Sequence, residues 1–415
     1  MKLLFLSNFY PPHKIGGYEM LCQEVLEALR VRGHSATVLT STYGVESEVS
    51  EDFVHRQLAL ESDLQYYQIK HAWTYPLNKR QNTRHLRHMV STFQPDIIFI
   101  WGMWGLSKQL AAESENLLKS RVVYYLANPW PIEANLHKAY WDNPAKKSYR
   151  RLLKRLIRIP ARLWLHAEWE PVALHFQYAP CCSEALRNQL ISAGVPLKDA
   201  PIIYEGINLA KYSTFGKQRH NPGEGGKLSL LYVGILAPHK GVHTAIEAIT
   251  HLKPSDRQRV DLTILGTGHP DYEALLHNMV NAHNLNQCVK FQSPIPRSEL
   301  PEYLSGFNVL LLPSTWEEPL ALIMQEGLAS GMVVVGSATG GTKEIIKDGQ
   351  NGFLFAAQDS SGLAHKIEQL IADPSLIDRV AEKGQQTAFE KFDLTRMVDD
   401  LERLLLNVCK AAPLS

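Results

Sequence analysis

One feature constrains this chain more than any other. Short apolar runs alternate with amphipathic helical stretches, stop at a glycine- and proline-rich segment, and then start again. In the first half "KLLFL", "SATVLT", "PDIIFIW", "RVVYYL", "YAPCC" and "PIIY" read as strands. Between the first two, Leu21, Val25 and Leu29 recur on one face of a helix expected over Tyr18 to Arg32, closed by Gly33. After "FGKQRHNPGEGGK" the pattern restarts with "LSLLYVG" and continues through "VDLTILG", "VKFQS", "NVLLLP", "MVVVG" and "GFLF". Strands alternating with helices imply parallel sheets with crossover helices. The expected fold class is α/β, two Rossmann-like domains facing across a cleft. The expected boundaries are 1–214, a linker at 215–227, a second domain over 228–390, and a last helix, 391–415, returning to the first.

The 415 residues exceed what one ordinary core holds, which agrees with two domains. A net charge of +1 leaves no global field to favour nucleic acid. Cys22, Cys181, Cys182, Cys288 and Cys409 are sparse, odd in number and lack metal-ligand spacing, which points to packing roles in a reducing compartment. "MKLLFLSNFYPPH" is too short an apolar run for a signal peptide, and a cytoplasmic protein is expected.

Ligands of open α/β sheets bind at the loops that follow strands. The first such loop ends in Gly16-Gly17 before a helix, where exposed amides suit a phosphate. It lacks the GxGxxG pattern of a dinucleotide site. "ILAPHKG" places Lys240 just before a helix, as a point charge for phosphate. "GSATGGTKE", Gly336 to Glu344, is a third glycine-bearing turn, and the three turns with Lys240 suggest one diphosphate site. In "STWEEPLALIMQEGLASG" the strand "FNVLLLP" precedes a helix for which Pro319 suits the first position and Gly331 the end. Glu318 then falls at the turn and Glu326 about two turns in.

These elements, in this order, resemble glycosyltransferase family 4, retaining enzymes of the GT-B fold. The resemblance spans almost the whole chain and is strongest from Leu228 to Phe355. It implies that Glu326 binds the ribose of a nucleotide and Glu318 the transferred sugar. Backbone at Leu320, Ala321 and Leu322 would approach sugar and phosphate. Gly16, Gly17 and Lys240 would hold the diphosphate, and backbone at Ile295 would touch the base. The donor implied is a nucleotide-sugar, most readily a UDP-sugar, with no cofactor and no metal, used to build polysaccharide or glycolipid. Three positions depart from the family pattern: Ile235 stands for an arginine, Ala321 for a glycine, and Ala127-Asn128 for His-Asp. His13 is then a substitute catalytic candidate beside Glu318 and Lys240, and Asn128, Trp130 and Trp104 are acceptor-side candidates. Two other readings compete: a nucleotide-binding module that has lost catalysis, and a hydrolase using two carboxylates.

Lys146 to Trp164 carries basic residues and leucines on separate helical faces. It could lie on an anionic membrane near a lipid-linked acceptor, or pack its leucines on the domain core. Pro160 is expected to kink or end the helix.

Overall fold

The computed structural model describes residues 1–13, 16–45, 52–61, 69–133, 140–143, 148–164, 172–213 and 226–411. Residues 215–225 of the expected linker, and Lys146 and Lys147, lie outside the described residues. The chain forms two compact units. Met1–Cys181, Arg187–Ile203 and Val398–Ser415 make the first; Cys182–Leu186 and Tyr204–Met397 make the second.

The first unit holds a parallel sheet of β1 (Lys2–Ser7), β2 (Ser35–Ser41), β3 (Val54–Leu58), β4 (Ile97–Gly102) and β5 (Val122–Tyr124), in the order β3-β2-β1-β4-β5. β1 is central, pairing Leu4 with Thr37 of β2 and with Ile98 of β4. Helix Gly17–Val31 turns Leu21, Val25 and Leu29 to the core, and Gly33 ends it with φ +88°. β3, "VHRQL", has no apolar run to announce it: it is an edge strand with three half-buried residues between Val54 and Leu58. "YAPCC" and "PIIY", expected as strands, contribute only isolated parallel bridges at Tyr178, Cys181 and Ile202. Pro180 and Pro201 supply no N–H to a ladder there. The last helix, Leu394–Ala411, enters the first unit at Val398. There Arg32 meets Asp399 and Glu402, and His34 meets Glu402, each at 2.6 Å.

The second unit repeats the plan with β6 (Leu228–Val233), β7 (Val260–Leu265), β8 (Val289–Gln292), β9 (Val309–Leu312), β10 (Val333–Ser337) and β11 (Phe353–Phe355). The order β11-β10-β9-β6-β7-β8 is again doubly wound, all pairings parallel. Leu230, Leu262, Val309, Leu311, Val333 and Val335 join the residues of helix Val242–His251, Ala245, Ile246 and Ile249, in one buried cluster. Strands covered on both faces read as unbroken apolar runs, which is why this half was legible.

The turn at Gly241 fixes where the site's loops meet. Its φ is +68°, and a Cβ there would stand 1.9 Å from the carbonyl oxygen of Pro313. Gly241→Ala meets both strain and collision, so it is expected to cost about 1–3 kcal/mol in urea unfolding. An unchanged midpoint would show that the two loops are not held at this distance.

Candidate active site

In the second sheet the chain order reverses between β6 and β9. Loops leaving two neighbouring strands in opposite directions open a crevice at their carboxyl ends. The loop after β6 carries Lys240 in a short 3-10 turn, Pro238–Lys240. The loop after β9 carries Ser314 to Ala321. The two are stitched by the Thr315 amide donating to the His239 carbonyl at 2.8 Å. The consequence is a charge pair: Lys240 Nζ donates to Glu318 Oε1. Ser314 Oγ donates to Glu318 Oε2 at 2.6 Å. The Lys240 ammonium stands 5.7 Å from the Trp316 ring centroid. Lys240 and Glu318 keep only 21% and 15% of their side chains exposed.

Glu326 lies just over one turn into helix Leu322–Ala329 and is 1% exposed. Arg297 donates to its Oε1, as does the Tyr212 hydroxyl at 3.0 Å. A carboxylate so buried persists ionised only with such partners. The helix starts at Leu322, not at Pro319 as the sequence suggested. Pro319, Leu320 and Ala321 stay outside it because the preceding backbone is held elsewhere, the Glu318 carbonyl accepting from the Gly341 amide at 2.9 Å. Ala321 is the N-cap and no side chain caps the turn. The amides at Ala321 and Leu322 therefore suit an anion. Leu320 and Ala321 are buried, and Ile295 is half-buried in the loop after β8. Ile235 is 51% exposed, with its carbonyl held by the Tyr232 hydroxyl at 2.9 Å.

The third glycine turn is not a phosphate cradle. The Gly340 amide donates to Glu317 Oε2 at 2.7 Å, and the Gly341 amide to Glu318 O. These amides are filled by the chain's own oxygens. A Cβ at Gly340 would stand 2.0 Å from Glu318 O, so the glycine serves close packing.

In the first unit the corresponding switch point lies between β1 and β4. The Gly16 amide, expected for phosphate, donates to Glu19 Oε2 at 3.0 Å in a capping box, while Gly17 opens the helix. His13 sits against Phe9 and Tyr43, with ring centroids 5.0 and 5.3 Å away. Burial and then the Arg56 charge hold its pKa below the ordinary value, which favours the neutral ring. Trp104 is 37% exposed, and its carbonyl accepts from Asn8 at 2.9 Å. Asn128 is half-buried and its side chain accepts from the Trp130 amide at 3.2 Å. Trp130 is not placed to meet an acceptor: it is 3% exposed and packs with Tyr124 and Phe176.

Residues 15–211 match the model of Glycosyltransferase Family 4, and residues 215–387 that of glycosyl transferases group 1. The chain belongs to glycosyltransferase family 4. It is 26% identical to a glycogen synthase of Mycobacterium tuberculosis over 410 residues, 95% of this chain and 91% of that one. It is 30% identical over 176 residues to the lipopolysaccharide core biosynthesis glycosyltransferase LpsE of Rhizobium meliloti, 42% of this chain and 49% of that one. Among solved structures, sucrose-phosphate synthase of Thermosynechococcus elongatus superposes with a TM-score of 0.74 at 18% identity, covering 99% of this chain and all of that one. Anabaena HepE in complex with UDP and glucose superposes at 0.70 with 20% identity, covering 98% and 99%. The fold is GT-B.

Sequence reasoning missed Arg297, Tyr212 and Glu205. The first two partner Glu326 from 29 and 114 positions away, and no local pattern marks them. Glu205 is 3% exposed. Burial, with the Glu318 carboxylate adding to it, pushes its pKa up to about 8. An unfolded chain releases this proton near 4.5. Between those values the folded state holds a proton that the unfolded state has lost. The stability contributed by Glu205 is thus full below about 4.5 and is lost as pH rises towards 8. Glu205→Gln should raise the Tm at pH 8 and flatten its fall between about pH 5 and 8. Parallel Tm–pH curves for the two proteins would refute the assignment.

Proposed function

We propose that this glycosyltransferase moves a hexose from a UDP-sugar to an acceptor hydroxyl with retention of anomeric configuration. The observation that carries this reading is the Lys240–Glu318 pair at the switch point, with the loop of Glu318 leading to an uncapped helix start and to buried Glu326. Glu326 exchanges its contacts with Arg297 and Tyr212 for hydrogen bonds from the ribose, a carboxylate's two oxygens matching adjacent hydroxyls. Glu318 orients the sugar. Lys240 and the amides at Ala321 and Leu322 hold the diphosphate. The bound UDP and UDP-glucose in the HepE structures support a uridine donor.

The bond between the anomeric carbon and the phosphate oxygen breaks. The acceptor oxygen bonds that carbon from the same face, and its proton passes to the departing phosphate. The charge that develops falls on UDP, where Lys240 and the helix start lie. A donor so placed is typically worth a factor of about 10²–10³ in kcat. No metal is required in this scheme, because Lys240 and backbone amides meet the phosphate charge. The acceptor is a polysaccharide or glycolipid hydroxyl on the cytoplasmic side, presented at a membrane surface. Exposed Ile235, in place of a phosphate-clamping arginine, favours a second reading, a nucleotide-binding module without turnover.

The test is a screen of UDP-, GDP- and ADP-sugars against glycan and lipid acceptors after exhaustive EDTA treatment, with NMR of the product linkage. Transfer from a UDP-sugar with retained configuration is expected. Nucleotide binding without transfer would establish the second reading, and free sugar without acceptor would indicate a hydrolase. Loss of activity to EDTA, restored by Mg²⁺ or Mn²⁺, would overturn the metal-free scheme.

A further inference from the structure

Helix Ser148–Trp164 carries six basic residues and no acidic one. Of the two expected effects of Pro160, a kink or an end, the helix does not end there. Its faces divide into three stripes at 3.6 residues per turn. Ile157 and Ala161 form the inner seam, packing with Tyr75 of helix Ile69–Phe93 and with Trp141. Arg151, Arg155, Arg158 and Arg162 form the next stripe. Leu152, Leu156, Ile159 and Leu163 form the third, 68–72% exposed. The leucines therefore do not make the core contact that would account for the amphipathic pattern; Ile157 and Ala161 do.

The apolar face extends beyond this helix. Trp164 and Trp73 stand with ring centroids 5.8 Å apart, 56% and 60% exposed, and Leu77 follows Trp73 at 64%. Helix Ile69–Phe93 also has no acidic residue, with five basic ones. Asp142 pairs with Arg158 and Arg162, and Lys154 donates to the Asn143 carbonyl at 2.6 Å, so part of the basic stripe is anchored to the unit. Arg151 and Arg155 are exposed.

An exposed strip of leucine, isoleucine and tryptophan bordered by arginines matches the boundary between lipid headgroups and acyl chains. Tryptophan suits that depth, and arginine meets anionic headgroups. A soluble protein partner would need acidic and apolar groups in the same register, whereas a lipid surface supplies both without register. We infer that the face made by Trp73, Leu77, Leu156, Leu163 and Trp164, with Arg151 and Arg155 beside it, docks the first unit on an anionic phospholipid surface. This inference stands apart from the donor chemistry and fails independently of it.

The full-length protein is sedimented with vesicles of phosphatidylglycerol and phosphatidylcholine, or of phosphatidylcholine alone. Binding to the anionic vesicles at low salt is expected, at least about tenfold stronger than to neutral ones and weakened by 0.5 M salt. Arg151→Glu with Arg155→Glu should lower it by about tenfold or more. Leu156→Ser with Leu163→Ser should lower it without changing UDP affinity, which also reports that the second unit stays folded. Brominated acyl chains should quench fluorescence less in Trp164→Phe than in the unmodified protein. Indifference of the unmodified protein to anionic vesicles at low salt overturns the inference. So does concentration-dependent self-association that Leu156→Ser abolishes while vesicle binding is absent, which would make this face an interface between copies.

Discussion

The second unit's site depends on one interaction, the bond from Lys240 to Glu318. Each residue sits on a loop at the end of a different strand. The Thr315–His239 bond and the close approach at Gly241 bring the loops together, and the ion pair then neutralises two largely covered charges. Breaking such a pair by removing one partner is costly, because the other charge is left behind. A donor does not break it in that sense. In the proposed reaction a diphosphate replaces the carboxylate as the counter-charge of Lys240, and sugar hydroxyls replace the ammonium at Glu318. On that proposal the pair organises the empty site and is exchanged for substrate contacts when the donor binds.

The same exchange explains why neighbouring ionisable groups matter. Glu205 is held protonated by burial and by the Glu318 charge. A second ionised carboxylate there would repel Glu318. The carboxylates around this site are thus each kept neutral or paired: Glu205 protonated, Glu318 bonded to Lys240, Glu326 bonded to Arg297 and Tyr212.

Much of the fold could be read in the sequence because both sheets have buried central strands. "KLLFL", "PDIIFIW", "LSLLYVG" and "NVLLLP" each carry a mostly apolar run, and each became a strand beside the switch point. β3 escaped because an edge strand needs no apolar run, and the proline-bearing segments at Tyr178 and Ile202 misled because prolines cannot complete a ladder. That Glu318 falls in the turn after a strand and Glu326 in the helix that follows was legible from the flanking pattern. Their partners were not, since Arg297, Tyr212 and Glu205 come from distant segments that only the fold brings near. The glycines at 340 and 341 looked like an anion site until Glu317 and Glu318 were seen to fill their amides. Periodicity also showed that helix Ser148–Trp164 is amphipathic, but not which stripe faces the core. That was settled by Ile157 and Ala161, two small or branched residues among the leucines.

The proposed division of labour between Lys240 and Glu318 can be measured directly by calorimetric titration of Glu318→Gln with UDP and with the UDP-sugar that the proposed reaction consumes. Losing the carboxylate frees Lys240 for phosphate and removes the acceptor for sugar hydroxyls. UDP should bind as tightly as to the unmodified protein or tighter, while the UDP-sugar should weaken by about tenfold or more, the worth of a hydrogen bond to a charged group. Equal weakening of both ligands, or of neither, would contradict the account.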